Sequence, residues 1–118
     1  MQKTNHKSGI DAEDLAKNFL LSKSFEILKE RYKTPYGEID IIAHSPEELI
    51  FVEVKKRKNL SFDDPVSNSQ KNRITNAALQ YISENPEINE LEIRFDCILI
   101  DSCNSVTHIE NAWMLDEI

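Results

Sequence analysis

Asp40, Glu53 and Lys55 are the side chains whose types and spacing could carry chemistry in this sequence. Carboxylate oxygens suit hard divalent cations, and Mg²⁺ typically takes one or two of them while keeping several waters. A cation so held can polarise a phosphoryl oxygen and acidify a water. A lysine beside it can stabilise charge developing on the phosphate or orient the attacking water. Glu53 and Lys55 stand two residues apart, so on a strand they project from the same face.

Two short alternating runs must position these groups. In GEIDIIA, Ile39, Ile41 and Ala43 fall on one face, with Glu38 and Asp40 on the other. In LIFVEVK, Ile50, Val52 and Val54 oppose Phe51, Glu53 and Lys55. The polar, proline-bearing segment His44-Ser45-Pro46-Glu47-Glu48 between them reads as a hairpin connection. Centring the turn between Pro46 and Glu47 sets Asp40 opposite Glu53, and Glu38 opposite Lys55. The register that buries the aliphatic face therefore gathers three carboxylates and a lysine on the other. A wet hairpin with a Glu38–Lys55 ion pair explains the same pattern. Against it, Ile42 and Phe51 share that face, which predicts half burial, where unpaired carboxylates are costly without a cation.

The remaining elements follow from periodicity. Asp11-Ala12-Glu13-Asp14 opens a helix with the apolar stripe Ala12, Leu15, Ala16, Phe19 and Leu20. Glu13 lies at the edge of that stripe, as a surface glutamate favouring the helix dipole would. Residues 1–8 read as a loose tail, leaving 9–118 as a single domain. Ser24 to Tyr32 alternates as a strand. Thr34-Pro35-Tyr36-Gly37 turns the chain into the hairpin; Gly37 and Gly9, the two glycines, each stand at the entrance to one of these segments. A second helix starts near Ser67-Asn68-Ser69, with the stripe Ile74, Ala77, Ala78, Tyr81 and Ile82, and ends at Asn85-Pro86. One turn back along that stripe lies Gln70, either a wet boundary residue or a site residue. Leu91 to Ile100 is nearly continuously apolar, as in a central strand covered on both faces. Val106 to Ile109 predicts a last strand, with Trp113 packing down near the end. The order α-β-β-β-α-β-β predicts an α/β fold, a mixed β-sheet flanked by helices.

With 118 residues the chain is sized for one core. No apolar run approaches the ~20 residues that span a bilayer, and MQKTNHKS lacks the apolar centre of a secretory signal. Two cysteines, Cys97 and Cys103, argue against a disulfide framework and for a reducing, cytoplasmic setting. The net charge of −7 opposes non-specific binding to polyphosphate. A local patch remains: Lys55, Lys56, Arg57 and Lys58, continued by Lys71 and Arg73.

The run Gly37-Glu38-Ile39-Asp40 followed by Phe51-Val52-Glu53-Val54-Lys55-x-Arg57 resembles the YraN-like family of small, uncharacterised bacterial proteins. That family is similar to the restriction-endonuclease-like superfamily, with its PD-D/E-x-K signature, and to archaeal Holliday junction resolvases. The resemblance runs from Gly9-x-x-x-Glu13 through Gln70-Lys71 to Arg94-Phe95-Asp96. It implies a restriction-endonuclease-like fold and a Mg²⁺-dependent (or Mn²⁺-dependent) nuclease acting on DNA, with branched or damaged DNA among the candidates. Asp40 and Glu53 would hold the metal, Glu13 would approach it from the first helix, Lys55 would assist the nucleophilic water, and Gln70 matches a glutamine of related nucleases. Lys56, Arg57, Lys58, Lys71 and Arg73 would contact nucleic acid, and such enzymes often act as homodimers. A non-catalytic module that binds nucleic acid or protein with the same fold is the alternative. Ser24-Phe25 stands where the family usually has Gly-Tyr, and Arg31 where it often has asparagine; neither is expected to touch the site.

Overall fold

A computed structural model describes residues 11–57 and 64–115. The tail at 1–8, Gly9 and Lys58 lie outside the described residues. Along the chain come α1 (Ala12–Ser22), β1 (Glu26–Lys33), β2 (Glu38–His44), β3 (Glu48–Lys56), α2 (Asn68–Glu84), a 3-10 turn (Pro86–Ile88), β4 (Glu92–Ile100) and β5 (Val106–Trp113). The five strands form one mixed sheet in sequence order. Its parallel pair is β3 with β4, joined through α2, and the other neighbours are antiparallel.

Helices cover both faces, which is why β3 and β4 are apolar on both sides. Ala12, Ala16 and Leu20 of α1 pack on Ile41, Ala43, Ile50, Val52, Ile98 and Ile100. Ile74, Ala77, Ala78 and Tyr81 of α2 pack on Ile42, Leu49, Phe51, Phe95, Cys97 and Leu99. Phe51, Phe95 and Trp113 stack in series within that second core. Ile39 differs from its expected place. It joins the α2-side cluster instead of the one holding Ile41 and Ala43, because β2 leaves its ladder with β3 at this end.

The helix ends show local chemistry at work. Asp11 caps α1, its carboxylate accepting from the Glu13 N–H at 2.9 Å. Ser67 and Gln70 form a reciprocal capping box on α2. At the other end of α1, Ser24 N–H donates to Leu21 C=O and Phe25 N–H to Leu20 C=O, the two bonds of a Schellman motif. That motif needs a left-handed residue, and Ser24 supplies it at φ 71°. Glycine would do so without strain, which accounts for the Gly-Tyr usual in the resembled family.

The apolar run of β4 hides an ionic network. Asp96 is fully buried and accepts from Arg94 Nη2 at 2.9 Å, from His108 Nε2 at 2.7 Å and from the Asn111 N–H at 3.1 Å. Arg94 also donates to Glu48 at 2.7 Å. Burial alone pushes the Asp96 carboxyl up; His108, Arg94 and the Asn111 N–H overcome it and hold the group below its ordinary range.

Two stability outcomes follow. Ser24→Gly is expected to stabilise the fold by about 1 kcal/mol in urea denaturation, because it removes a left-handed L-residue. Asp96→Asn is expected to cost about 3 kcal/mol at neutral pH by leaving Arg94 short of its counter-ion. A depressed carboxyl contributes stability above its unfolded value and loses it as pH falls through the folded one. The gap between Asp96→Asn and the wild-type protein should therefore close below about pH 4.

Candidate active site

The site forms where β2 and β3 part. Their ladder runs from His44–Leu49 to Ile41–Val52, the register expected from the turn, and then stops. At the next position the Asp40 carboxylate, not a backbone carbonyl, accepts the Val54 N–H at 2.8 Å. A side chain inserted there ends the strand pairing and holds β2 and β3 apart. Burial falls away along β3 at the same point: Leu49 to Val52 are buried, whereas Glu53, Val54 and Lys55 are half-buried and Lys56 is exposed. The expected Glu38–Lys55 pairing is consequently not formed. Lys55 Nζ instead pairs with Glu53 on its own strand, at 3.4 Å.

The gap opens as a cleft of about 250 Å³ lined by Glu38, Asp40, Glu53, Gln70, Arg73 and Ile74. One wall is the hairpin and the other is the first two turns of α2. Gly37 lets these walls close up, since a Cβ there would stand 3.1 Å from Arg73 Cβ. Burial pushes the Asp40 carboxyl up to about 7; the Val54 N–H opposes this, while the negative charges of Glu53 and Glu13 reinforce it. Asp40 thus keeps a proton far above the pH at which an ordinary aspartate loses it. Cys97, beside Glu53 on the neighbouring strand, is buried and its thiol is raised to about 12, so it offers no nucleophile.

The structure brings Asp40, Glu53 and Gln70 to one cleft, with Lys55 against Glu53. The Gln70 side chain is partly committed, because its Oε1 accepts the Ser67 N–H at 3.2 Å in the α2 cap. Glu13 lies near enough to raise Asp40, but its Oε1 accepts from Arg31 Nε at 2.9 Å. Arg31, expected to lie clear of the site, therefore reaches it. It does so from a left-handed backbone position, φ 54°, that an asparagine would adopt more readily. Opposite charge was its only signal in the sequence.

Among the described residues, no three acidic, histidine or cysteine side chains converge as a ready-made cage for a metal ion. Two carboxylates with waters still match the demands of Mg²⁺. Of the expected nucleic-acid contacts, Lys56 and Arg57 are exposed at the end of β3, and Arg57 donates to the Pro65 carbonyl at 2.9 Å. Arg73 is exposed at the cleft and donates to Ser69 Oγ at 2.7 Å. Lys71 requires correction. It is buried on the inner side of α2 and paired with Asp64 at 2.6 Å, so it is a structural cation and no phosphate contact.

A family model described as "Uncharacterised protein family UPF0102" matches residues 12–100. The chain belongs to UPF0102. It is 41% identical over 109 residues to the UPF0102 protein of Nitrobacter winogradskyi, covering 90% of this chain and 91% of that one. It is 42% identical over 113 residues to the UPF0102 protein of Clostridioides difficile, covering 92% and 98%. The YraN-like resemblance is thereby borne out at the level of the family. A solved structure of Pyrococcus furiosus SfsA in complex with Ca²⁺ overlaps 81% of this chain and 58% of its own. Its TM-score of 0.34 and 14% identity are too low to carry an argument.

The raised Asp40 carboxyl has a measurable consequence. Between its ordinary value of about 3.9 and about 7, the folded state of this UPF0102 member binds more protons than the unfolded chain. Stability contributed by this group therefore falls as pH rises across that window. An asparagine in its place cannot charge, and the amide oxygen can still accept from Val54. Asp40→Asn should gain on the wild-type protein between about pH 4 and about pH 8 in urea denaturation with EDTA; a constant difference would contradict the assignment.

Proposed function

We propose that this UPF0102 chain is a Mg²⁺-dependent nuclease that hydrolyses phosphodiester bonds in DNA at the β2–β3 cleft. One observation carries the reading: Asp40 and Glu53 share a half-buried cleft, where burial and the neighbouring carboxylates push the Asp40 carboxyl up. Two carboxylates forced together in this way favour a divalent cation in the proton's place. The order Asp40…Glu53-x-Lys55 also resembles the signature of restriction-endonuclease-like enzymes and of archaeal resolvases.

Asp40 and Glu53 would hold the cation, which when bound supplies positive charge against the phosphate and acidifies a water. Glu53 also holds the Lys55 ammonium, keeping that side chain at the mouth of the cleft. From there Lys55 can donate to a phosphate oxygen or to the attacking water. Arg73, on the opposite wall, can neutralise a neighbouring phosphate. Glu13 can join only by giving up Arg31. That ion pair favours a second reading, a non-catalytic module that binds nucleic acid or protein with the same fold, and the net charge of −7 favours its protein-binding form.

The discriminating experiment offers purified protein labelled duplex, single strand, flap, four-way junction and RNA, with Mg²⁺, Mn²⁺ or EDTA. Metal-dependent cutting of DNA is expected. It should be abolished by Asp40→Asn and reduced about a hundredfold to a thousandfold by Lys55→Met. Metal-dependent cutting that survives both changes would sink the assignment of this site. Binding without turnover would establish the second reading.

A further inference from the structure

Beside the cleft lies a second, larger hollow, about 390 Å³, lined by Tyr36, Asn76, Leu79, Gln80 and Ser83. We infer that it is a nucleobase subsite, taking an unpaired base of a strand whose backbone enters the β2–β3 cleft. The inference rests on the nucleic-acid reading of that cleft and narrows it to substrates with single-stranded character.

The two hollows share both walls. On the hairpin side, Tyr36 lines one and Glu38 the other, with Gly37 between them. On the helix side, Arg73 lines the cleft and Asn76, three residues on, lines the hollow. Gly37 sits against Arg73 where the two meet, and its missing Cβ keeps that crossing low. From Arg73 to Gln80 the helix advances about 10 Å. A strand with one phosphate at Arg73 would present its next base to Tyr36.

Chemistry and rigidity agree with that occupant. Tyr36 is 53% exposed and Leu79 46%, two of the largest apolar groups left to solvent. Tyr36 stands on a tightly tied turn. Thr34 Oγ1 accepts from the Tyr36 and Gly37 N–H groups and donates to the Gly37 carbonyl, and the Thr34 and Gly37 backbones bond in both directions. A backbone held in this way presents the Tyr36 ring from a fixed point, so little backbone freedom is lost when a base stacks on it. Asn76 and Gln80 supply neutral donors and acceptors suited to a base edge. None of the lining groups is charged, so affinity here does not depend on the cations this acidic chain lacks. Stacking supplies it. A paired base in an intact duplex cannot reach such a surface without being unstacked first.

The test measures binding of a short fluorescein-labelled oligothymidylate to the full chain in EDTA, so that cleavage plays no part. Tyr36→Ala is expected to weaken binding about tenfold or more, and Tyr36→Phe, which keeps the ring, to leave it near wild type. The dependence of affinity on salt should be unchanged in both, because no phosphate contact is removed. Asn76→Ala should cost a few-fold without disturbing the turn, and binding to a blunt duplex should ignore all three changes. Wild-type affinity in Tyr36→Ala, equal loss in Tyr36→Phe, a shallower salt dependence or no binding by the wild-type protein would each overturn the subsite. Thymidine monophosphate competing as well as the oligomer would assign the hollow to a free nucleotide and overturn its link to a strand. A protein that binds through Tyr36 but cuts nothing refutes the nuclease and leaves the subsite standing. Tyr36-independent cutting of blunt duplex does the reverse.

Discussion

The hydrogen bond from the Val54 N–H to the Asp40 carboxylate is the contact on which the site depends. An antiparallel ladder continues as long as backbone donors meet backbone acceptors. Here the Asp40 side chain takes the acceptor's place, one residue past Ile41 on β2 and two past Val52 on β3, and the strands separate. That one replacement ends the ladder, opens the cleft toward α2 and fixes Asp40 beside Glu53. The apolar core behind it, from Leu49 to Val52, keeps the opening from spreading. Binding chemistry is thus placed at the edge of a closed core, where groups can be half-desolvated and still reached.

Two aspartates in the same sheet, Asp96 buried and Asp40 half-buried, show how neighbours set them apart. Asp96 is surrounded by donors, Arg94, His108 and the Asn111 N–H, and its carboxyl lies below the ordinary range. Asp40 has one backbone donor and two acidic neighbours, and its carboxyl is raised to about 7. The first is a satisfied anion whose charge ties β4 to β3 and β5. The second lacks such a set of donors, so its charged form is disfavoured and its proton is held to a higher pH. Burial acts on both; the neighbours decide the sign.

Much of this is legible in the sequence, because it rests on local patterns. The alternation in GEIDIIA and LIFVEVK and the turn centred between Pro46 and Glu47 specify the β2–β3 register that is observed. The helical stripes of α1 and α2 follow from spacing, and the α2 cap falls at Ser67, within the Ser67-Asn68-Ser69 run where the helix is expected to begin. What the pattern cannot show is where a ladder stops. Alternation carried through Glu38 and Lys55 pairs them, whereas the inserted Asp40 carboxylate breaks the register before it reaches them. Lys71 escapes the pattern for a similar reason: a basic run says nothing about which helix face turns inward, and the Asp64 that receives it is seven residues away. The Arg94–Asp96 network does leave a trace, since two opposite charges two residues apart interrupt an otherwise apolar strand. Arg31 leaves little, because its reach to Glu13 needs a left-handed backbone that no propensity for arginine suggests.

The acidic balance of the chain becomes less of an obstacle once the charges are located. Affinity for nucleic acid that comes from phosphate neutralisation scales with the number of phosphates met by Lys and Arg. Among the described residues, Lys55 is drawn to Glu53, Lys71 is buried, Arg73 stands at the crossing into the second hollow, and Lys56 and Arg57 lie exposed at the end of β3. A surface so equipped would hold a duplex poorly, since a duplex offers it only phosphates and closed base pairs. Unpaired strands also offer the faces of their bases, and Tyr36, carried on a tied turn, would be placed to meet one on the proposed reading. On that reading, the few cations described at the cleft and the exposed aromatic group would act together toward one selectivity. Under the proposed reading, a cleft that cannot hold DNA by charge alone would be restricted to the places where its bases are open.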